Sequence, residues 1–154
     1  FRHEEESKFN AKEAKKHLEQ INPDIAVKSF HEILKEENSF LLDADLIIDC
    51  SQDWKTSLII NKHAKTKKIP LIYTKIAGTS GLVLAVRGGF PHTKLEMQTK
   101  KLGSVETKGL LPSTVYMAAA IALNKVLKIM TEQKFSRKLF YFDSWKMSKR
   151  ETTI

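Results

Sequence analysis

The stretch Ala44-Asp45-Leu46-Ile47-Ile48-Asp49-Cys50, followed at helix-length distance by Ile69-Pro70-Leu71-Ile72-Tyr73-Thr74, decides the fold. Each is a short apolar run of strand length, and its nearly unbroken character suits a strand covered on both faces. Between them, Ser51-Gln52-Asp53 supplies a turn with capping residues, and residues 54–65 have the length of a crossover helix. Strand, helix, strand in this order predicts a βαβ unit with parallel strands and a right-handed crossover.

On the N-terminal side, Ala11, Ala14, Leu18 and Ile21 recur at intervals of three and four, so residues 8–21 read as an amphipathic helix ended by Asn22-Pro23-Asp24. Ile25, Val27 and Ser29 then alternate as in a strand over 25–31, and Glu36-Glu37-Asn38 reads as a short polar helix. On the C-terminal side, Gly78-Thr79-Ser80-Gly81 turns the chain into a strand over 82–86. Residues 88–109, rich in Gly, Pro, Lys and Thr, read as a long functional or mobile loop. Pro112 and Ser113 start a helix whose uniformly apolar run over 115–123 predicts a central packing helix. Two short strands over 138–143 and 146–150, separated by Ser144-Trp145, close the chain as an antiparallel hairpin. The sum is one α/β domain over 1–154, a mixed, mainly parallel sheet flanked by helices.

The 154 residues are 42% apolar and 29% charged with only 6 Gly and 4 Pro, which excludes disordered and collagen-like classes. No apolar run approaches the roughly 18 residues of a membrane span. The opening Phe1-Arg2-His3-Glu4-Glu5-Glu6 is not a secretory signal, and a cytoplasmic location is expected. The chain starts at Phe1 and not at Met, so it reads as part of something longer. Its net charge of +8 is spread over stretches in which acidic residues interleave, the pattern of a solvated basic surface; nucleic acid is not an expected partner. The single cysteine, Cys50, rules out an intramolecular disulfide and a Cys-only zinc site, and within its apolar run it reads as a core hydrophobe and not a nucleophile.

In open α/β sheets ligands bind beyond the carboxyl ends of parallel strands. Those ends carry Asp49-Cys50-Ser51-Gln52-Asp53 and Tyr73-Thr74-Lys75. Asp49 and Asp53 are of the type that assists a divalent cation, Ser51 and Thr74 could hydrogen-bond a phosphate, and Lys75 could neutralise one. Asp53 has a second reading, as the N-terminal residue of a helix. The chain has no G-x-G-x-x-G, no G-x-x-x-x-G-K-[ST], no G-x-S-x-G and no H-E-x-x-H, and its five histidines stand at no ligand spacing. The residues alone therefore lead to an α/β domain with an anionic-ligand site.

The succession of segments resembles the ThiF/MoeB/HesA family of E1-like activating enzymes. The resemblance rests on Ala11-Lys12-Glu13-Ala14 leading to Ile21-Asn22-Pro23-Asp24, on Asp45-Leu46-Ile47-Ile48-Asp49-Cys50-Ser51, on Ile69-Pro70-Leu71-Ile72-Tyr73, and on Gly78-Thr79-Ser80-Gly81. The helix after Gly109-Leu110-Leu111-Pro112 and the closing Phe140-Tyr141-Phe142-Asp143-Ser144-Trp145 also fit. It implies a Rossmann-like fold whose glycine-rich nucleotide portion precedes Phe1. It also implies ATP and magnesium as cofactors, a ubiquitin-like or sulfur-carrier protein as partner, and a homo- or heterodimer.

Residue by residue, the family's phosphate-contacting Lys falls on Asn10, and its magnesium-associated Asp, in D-C-T-D-N, falls on Gln52, with Asp53 one place later. Its following Arg falls near Ser57. The zinc-binding Cys pairs and the thioester Cys have no counterpart, so no zinc is expected. The nucleotide-binding residues this implies are Asn10, Asp49, Ser51, Gln52, Asp53 and Lys75, with no catalytic side chain required. Two functions follow: ATP-dependent adenylation of the partner's C-terminus, with residues 88–109 near the incoming tail, or a non-catalytic E1-like subunit or scaffold that binds protein partners.

Overall fold

Strand β1 (Ile47–Asp49) runs parallel to β2 (Pro70–Ala77), with Ile47 opposite Leu71 and Asp49 opposite Tyr73, and α2 (Trp54–Lys67) makes the connection. The expected βαβ unit is present. It belongs to a computed structural model that describes residues 10–154. The chain divides into two compact units, Phe1–Leu34 and Lys35–Ile154. In the first, α1 (Asn10–Ile21) ends at the Asn22 turn, where the Asn22 side chain accepts from Asp24 N at 3.0 Å; the expected helix start at Lys8 lies outside the described residues. The expected strand over 25–31 does not form: the segment has no ladder partner and stays irregular. In the second unit the polar helix expected at Glu36-Glu37-Asn38 is replaced by a 3₁₀ turn at Ser39–Leu42.

The sheet has five strands in the order β1-β2-β3-β4-β5, completed by β3 (Ser80–Arg87), β4 (Leu139–Asp143) and β5 (Ser148–Thr152). It is mixed and flanked by helices, but only β1 and β2 pair in parallel; the other three pairings are antiparallel, so the expectation of a mainly parallel sheet is corrected. The reason is local. Ala77 pairs with Ser80, leaving Gly78 and Thr79 as a two-residue turn with Gly78 at φ +58°, and a turn that short reverses the strand. The unbroken apolar run of β3 reports burial on both faces, which a central antiparallel strand shares with a parallel one. β1, by contrast, is an edge strand: Ile48 is 46% exposed between buried Ile47 and Asp49, so only one face is covered.

Residues 88–109 are mostly helical, in α3 (His92–Leu102) and α4 (Val105–Lys108), against the loop expected there. Buried Leu95, Thr99 and Leu102 stand at helical spacing, a pattern masked in the sequence by the surrounding Lys and Thr. Helix α5 (Pro112–Met130) packs on β2 and β3, with Ala118, Ala122 and Ile129 against Ile72, Val83, Ala85 and Phe142. It is long and apolar enough to cross a membrane by length and composition, yet its inner face belongs to this core. Its outer face carries exposed Tyr116, Leu123, Leu127 and Met130, so the helix is half-exposed and not fully enclosed as its uniform apolar run suggested.

The expected closing hairpin is present, with β4 and β5 antiparallel. Asp143 organises its turn: its carboxylate accepts from Trp145 N (3.0 Å), Lys146 N (2.9 Å), Ser80 Oγ (3.0 Å) and Thr79 Oγ1 (3.3 Å). The Lys146 amide, foremost, holds this carboxyl below its ordinary value of 3.8. A depressed carboxyl stabilises the fold fully above its ordinary value and loses that contribution as the pH falls through its folded one. Urea unfolding should therefore separate wild type from Asp143→Asn at neutral pH, with the gap narrowing as the pH falls below the carboxyl's ordinary value; a gap that does not narrow in acid would disprove the assignment.

Candidate functional site

The carboxyl end of β1, at Asp49, lies opposite Tyr73 within the longer parallel neighbour β2, so the chain leaving β1 runs beside residues 74–76. This brings together Asp49, Ser51, Gln52, Asp53 and Lys75, five of the six site residues expected from the sequence. The sixth, Asn10, is the first residue of α1 and belongs to the N-terminal unit. Cys50, expected in the core, sits just past the end of β1 and is exposed.

Asp49 is fully buried. Its Oδ1 accepts from Ser51 N (3.0 Å) and Ser51 Oγ (2.7 Å), folding the chain back after β1, while its Oδ2 is buried with no hydrogen-bond partner. The backbone carbonyl of Asp49 accepts from Thr74 Oγ1 (2.8 Å), so the Thr74 hydroxyl expected to meet a phosphate ties the two strand ends together instead. Burial, and after it the negative charge of Asp49, pushes the Tyr73 phenol far above its ordinary value, so Tyr73 stays protonated and cannot act as a base at neutral pH.

Asp53 is the N-cap of α2. Its Oδ2 accepts from Thr56 N and Thr56 Oγ1, both at 2.8 Å, and the Thr56 amide, foremost, lowers its pKa. Of its two sequence readings, the helix-terminal one is what the geometry shows. Gln52 adopts a left-handed backbone with φ +59°, a costly conformation for a non-glycine residue. Three contacts hold it there: its Oε1 accepts from Ile76 N (3.0 Å), its Nε2 donates to Thr74 O (3.4 Å), and its carbonyl accepts from Lys75 Nζ (3.3 Å).

Lys75 also lines a cleft of about 330 Å³ with Trp54, Thr99, Lys100, Ser104 and Thr107. Lys100 is paired with Glu96 at 2.8 Å. The sequence placed the segment 88–109 near the incoming tail but singled out none of Lys100, Ser104 and Thr107 within it. They come from α3 and the start of α4, and only the packing of those helices beside β2 places them next to Lys75.

The donors do not fit a divalent cation. Among the described residues no three His, Cys, Asp or Glu side chains gather at one point. Asp49 offers one enclosed oxygen, Asp53 commits its Oδ2 to the helix end, and both ends of the Gln52 amide are engaged by β2. Magnesium at a phosphate site takes one or two open carboxylates beside the phosphates and its own waters, and here the Asp49 oxygen is enclosed while Asp53 has one oxygen committed to the helix end.

Residues 1–154 match the ThiF family along their whole length. The chain belongs to the ThiF family. A curated relative, the sulfur carrier protein ThiS adenylyltransferase of Bacillus subtilis (strain 168), is 30% identical over 143 residues, which cover 90% of this chain and 43% of the relative. Among solved structures, PaaA superposes with a TM-score of 0.72 at 20% identity, over 99% of this chain and 57% of that one. E. coli MccB with ATP superposes with a TM-score of 0.78 at 15% identity, over 99% of this chain and 49% of that one. These two likenesses show a shared fold. The ThiF-family chain described here thus spans about half the length of the proteins it matches.

Proposed function

We propose that this chain is part of an ATP-dependent adenylyltransferase that activates the C-terminal carboxylate of a ubiquitin-like or sulfur-carrier protein in the cytoplasm, working as a homo- or heterodimer. The observation that carries the reading is the convergence, just past the carboxyl end of β1, of the 49–53 loop with Lys75 of β2, beside the cleft lined by α3 and α4. Membership of the ThiF family and the name of the B. subtilis relative support it. The glycine-rich nucleotide portion would be supplied by sequence outside this chain, with which residues 1–154 complete one E1-like domain, and Asn10 would stand at a phosphate-contacting position.

In the reaction, a carboxylate oxygen attacks the α-phosphorus of ATP, the bond from that phosphorus to the bridging oxygen of the β-phosphate breaks, and pyrophosphate leaves. No protein nucleophile is required; positioning and electrostatic stabilisation supply the acceleration. Lys75 places positive charge beside the polyphosphate, Asp49 and Ser51 hold the loop that presents it, and the cleft receives the carrier's tail. ATP–pyrophosphate exchange by the full-length protein tests this. Exchange that appears only when a carrier protein with a free C-terminus is added is the expected result, whereas ATP-binding protein that never exchanges with any such carrier would leave a non-catalytic subunit.

A further inference from the structure

We infer that in this chain a lysine, Lys75, supplies the charge that a divalent cation would bring to the polyphosphate, and that Gln52 is a rung of the sheet and not a metal ligand. This rests on the proposed function for the presence of a nucleotide. It departs from that reading in what neutralises it.

The argument starts from register. Ile47, Ile48 and Asp49 pair with Leu71, Ile72 and Tyr73, so a continued β1 would set residue 51 opposite Lys75. In a parallel ladder that residue would donate its N–H to Thr74 O and accept at its C=O from Ile76 N. β1 stops at Asp49, and the Asp49–Ser51 turn carries the backbone away. Those two groups of β2 are met by the Gln52 side chain, Nε2 on Thr74 O and Oε1 on Ile76 N. A primary amide has the donor and acceptor this rung demands. A carboxylate has no donor, and it would set negative charge against the Thr74 carbonyl. Gln52 is therefore matched to the sheet edge and unavailable to a metal.

Lys75 stands on β2 between those two groups. Its ammonium rests on the Gln52 carbonyl, so the left-handed turn that frees the Gln52 side chain for β2 also turns its carbonyl toward Lys75. The other charged groups around the cleft are Lys100, tied to Glu96, and Glu106, which feels the charge of Lys75. Lys75 spends its ammonium on a neutral backbone oxygen, a partner that an anionic phosphate would readily replace.

Calorimetry of ATP binding by the full-length protein, with millimolar magnesium and with EDTA, reads the inference directly. Wild type should bind with a Kd that differs by no more than about twofold between the two conditions. Lys75→Met should weaken binding about tenfold in both, which corresponds to about 1.4 kcal/mol, and Lys75→Arg should retain it. Gln52→Asp should lower the melting temperature by several degrees through loss of the Thr74 bond, without acquiring magnesium dependence. Wild-type binding that tightens tenfold or more with magnesium, or a Gln52→Asp protein that melts as wild type and gains magnesium dependence, would overturn the inference and leave the proposed function standing. ATP binding absent in every condition would overturn both.

Discussion

Phe142→Ala should lower the unfolding free energy by about 3–5 kcal/mol, the range for deleting a buried aromatic ring. Phe142 is fully buried on β4, within the cluster that joins α5 to the sheet. Its ring fits because its cross-strand partner is a glycine: Phe142 pairs with Gly81, and a Cβ on Gly81 would lie 2.4 Å from the ring's Cζ and 3.2 Å from Ile76 Cγ2. Gly81→Ala alone should therefore destabilise by about 1–3 kcal/mol through overpacking. In the Phe142→Ala background the ring contact is gone and only the 3.2 Å approach to Ile76 remains, so the same methyl should cost clearly less. The double-mutant cycle should show a coupling of about 1–3 kcal/mol by urea unfolding. Additive losses would mean that Gly81 is not there to admit the ring.

Asn61→Ala is expected to cost about 2–3 kcal/mol, the consequence of leaving buried backbone groups unpaired. Asn61 is fully buried on α2, and it meets both polar groups of one residue: Oδ1 accepts from Phe90 N (2.7 Å) and Nδ2 donates to Phe90 O (3.3 Å). Phe90 is itself buried and stacks edge-on to Tyr73 with ring centroids 5.5 Å apart. The bridge passes close to the backbone at Gly89, where φ is +85° and a Cβ would lie 2.8 Å from Asn61 Oδ1, so no side chain fits there. It thereby fixes where α3 begins, and α3 carries Lys100 to the cleft beside Lys75. Denaturant unfolding together with amide exchange at Phe90 checks this: the loss should come with faster exchange at that amide. A change below about 0.5 kcal/mol, the level of an ordinary surface substitution, would show that the bridge contributes little.

Asn61 and Gln52 share a device that no local pattern advertises, a side-chain amide standing in for a backbone partner. Asn61 reaches 29 residues along the chain and Gln52 reaches 24, so periodicity and motif spacing carry no trace of either. In the sequence Gln52 is a substitution at a position where the family resemblance places an Asp. In the structure its chemistry is the match to Thr74 O and Ile76 N. The same distinction explains α3, whose buried Leu95, Thr99 and Leu102 were visible but outweighed by the lysines and threonines around them.

By itself the sequence determined the βαβ unit at residues 44–74, the Gly78 turn, the closing hairpin, the apolar helix and the gathering of 49–53 with Lys75, because strand length, helix length and turn chemistry are properties of neighbouring residues. Only the tertiary structure decided that β3 runs antiparallel, that β1 is an edge, and that Asp53 and Gln52 serve the fold while Lys75 faces the cleft. Direction, exposure and partner choice depend on hydrogen bonds and packing between residues far apart in the chain, and these exist only once the sheet has formed.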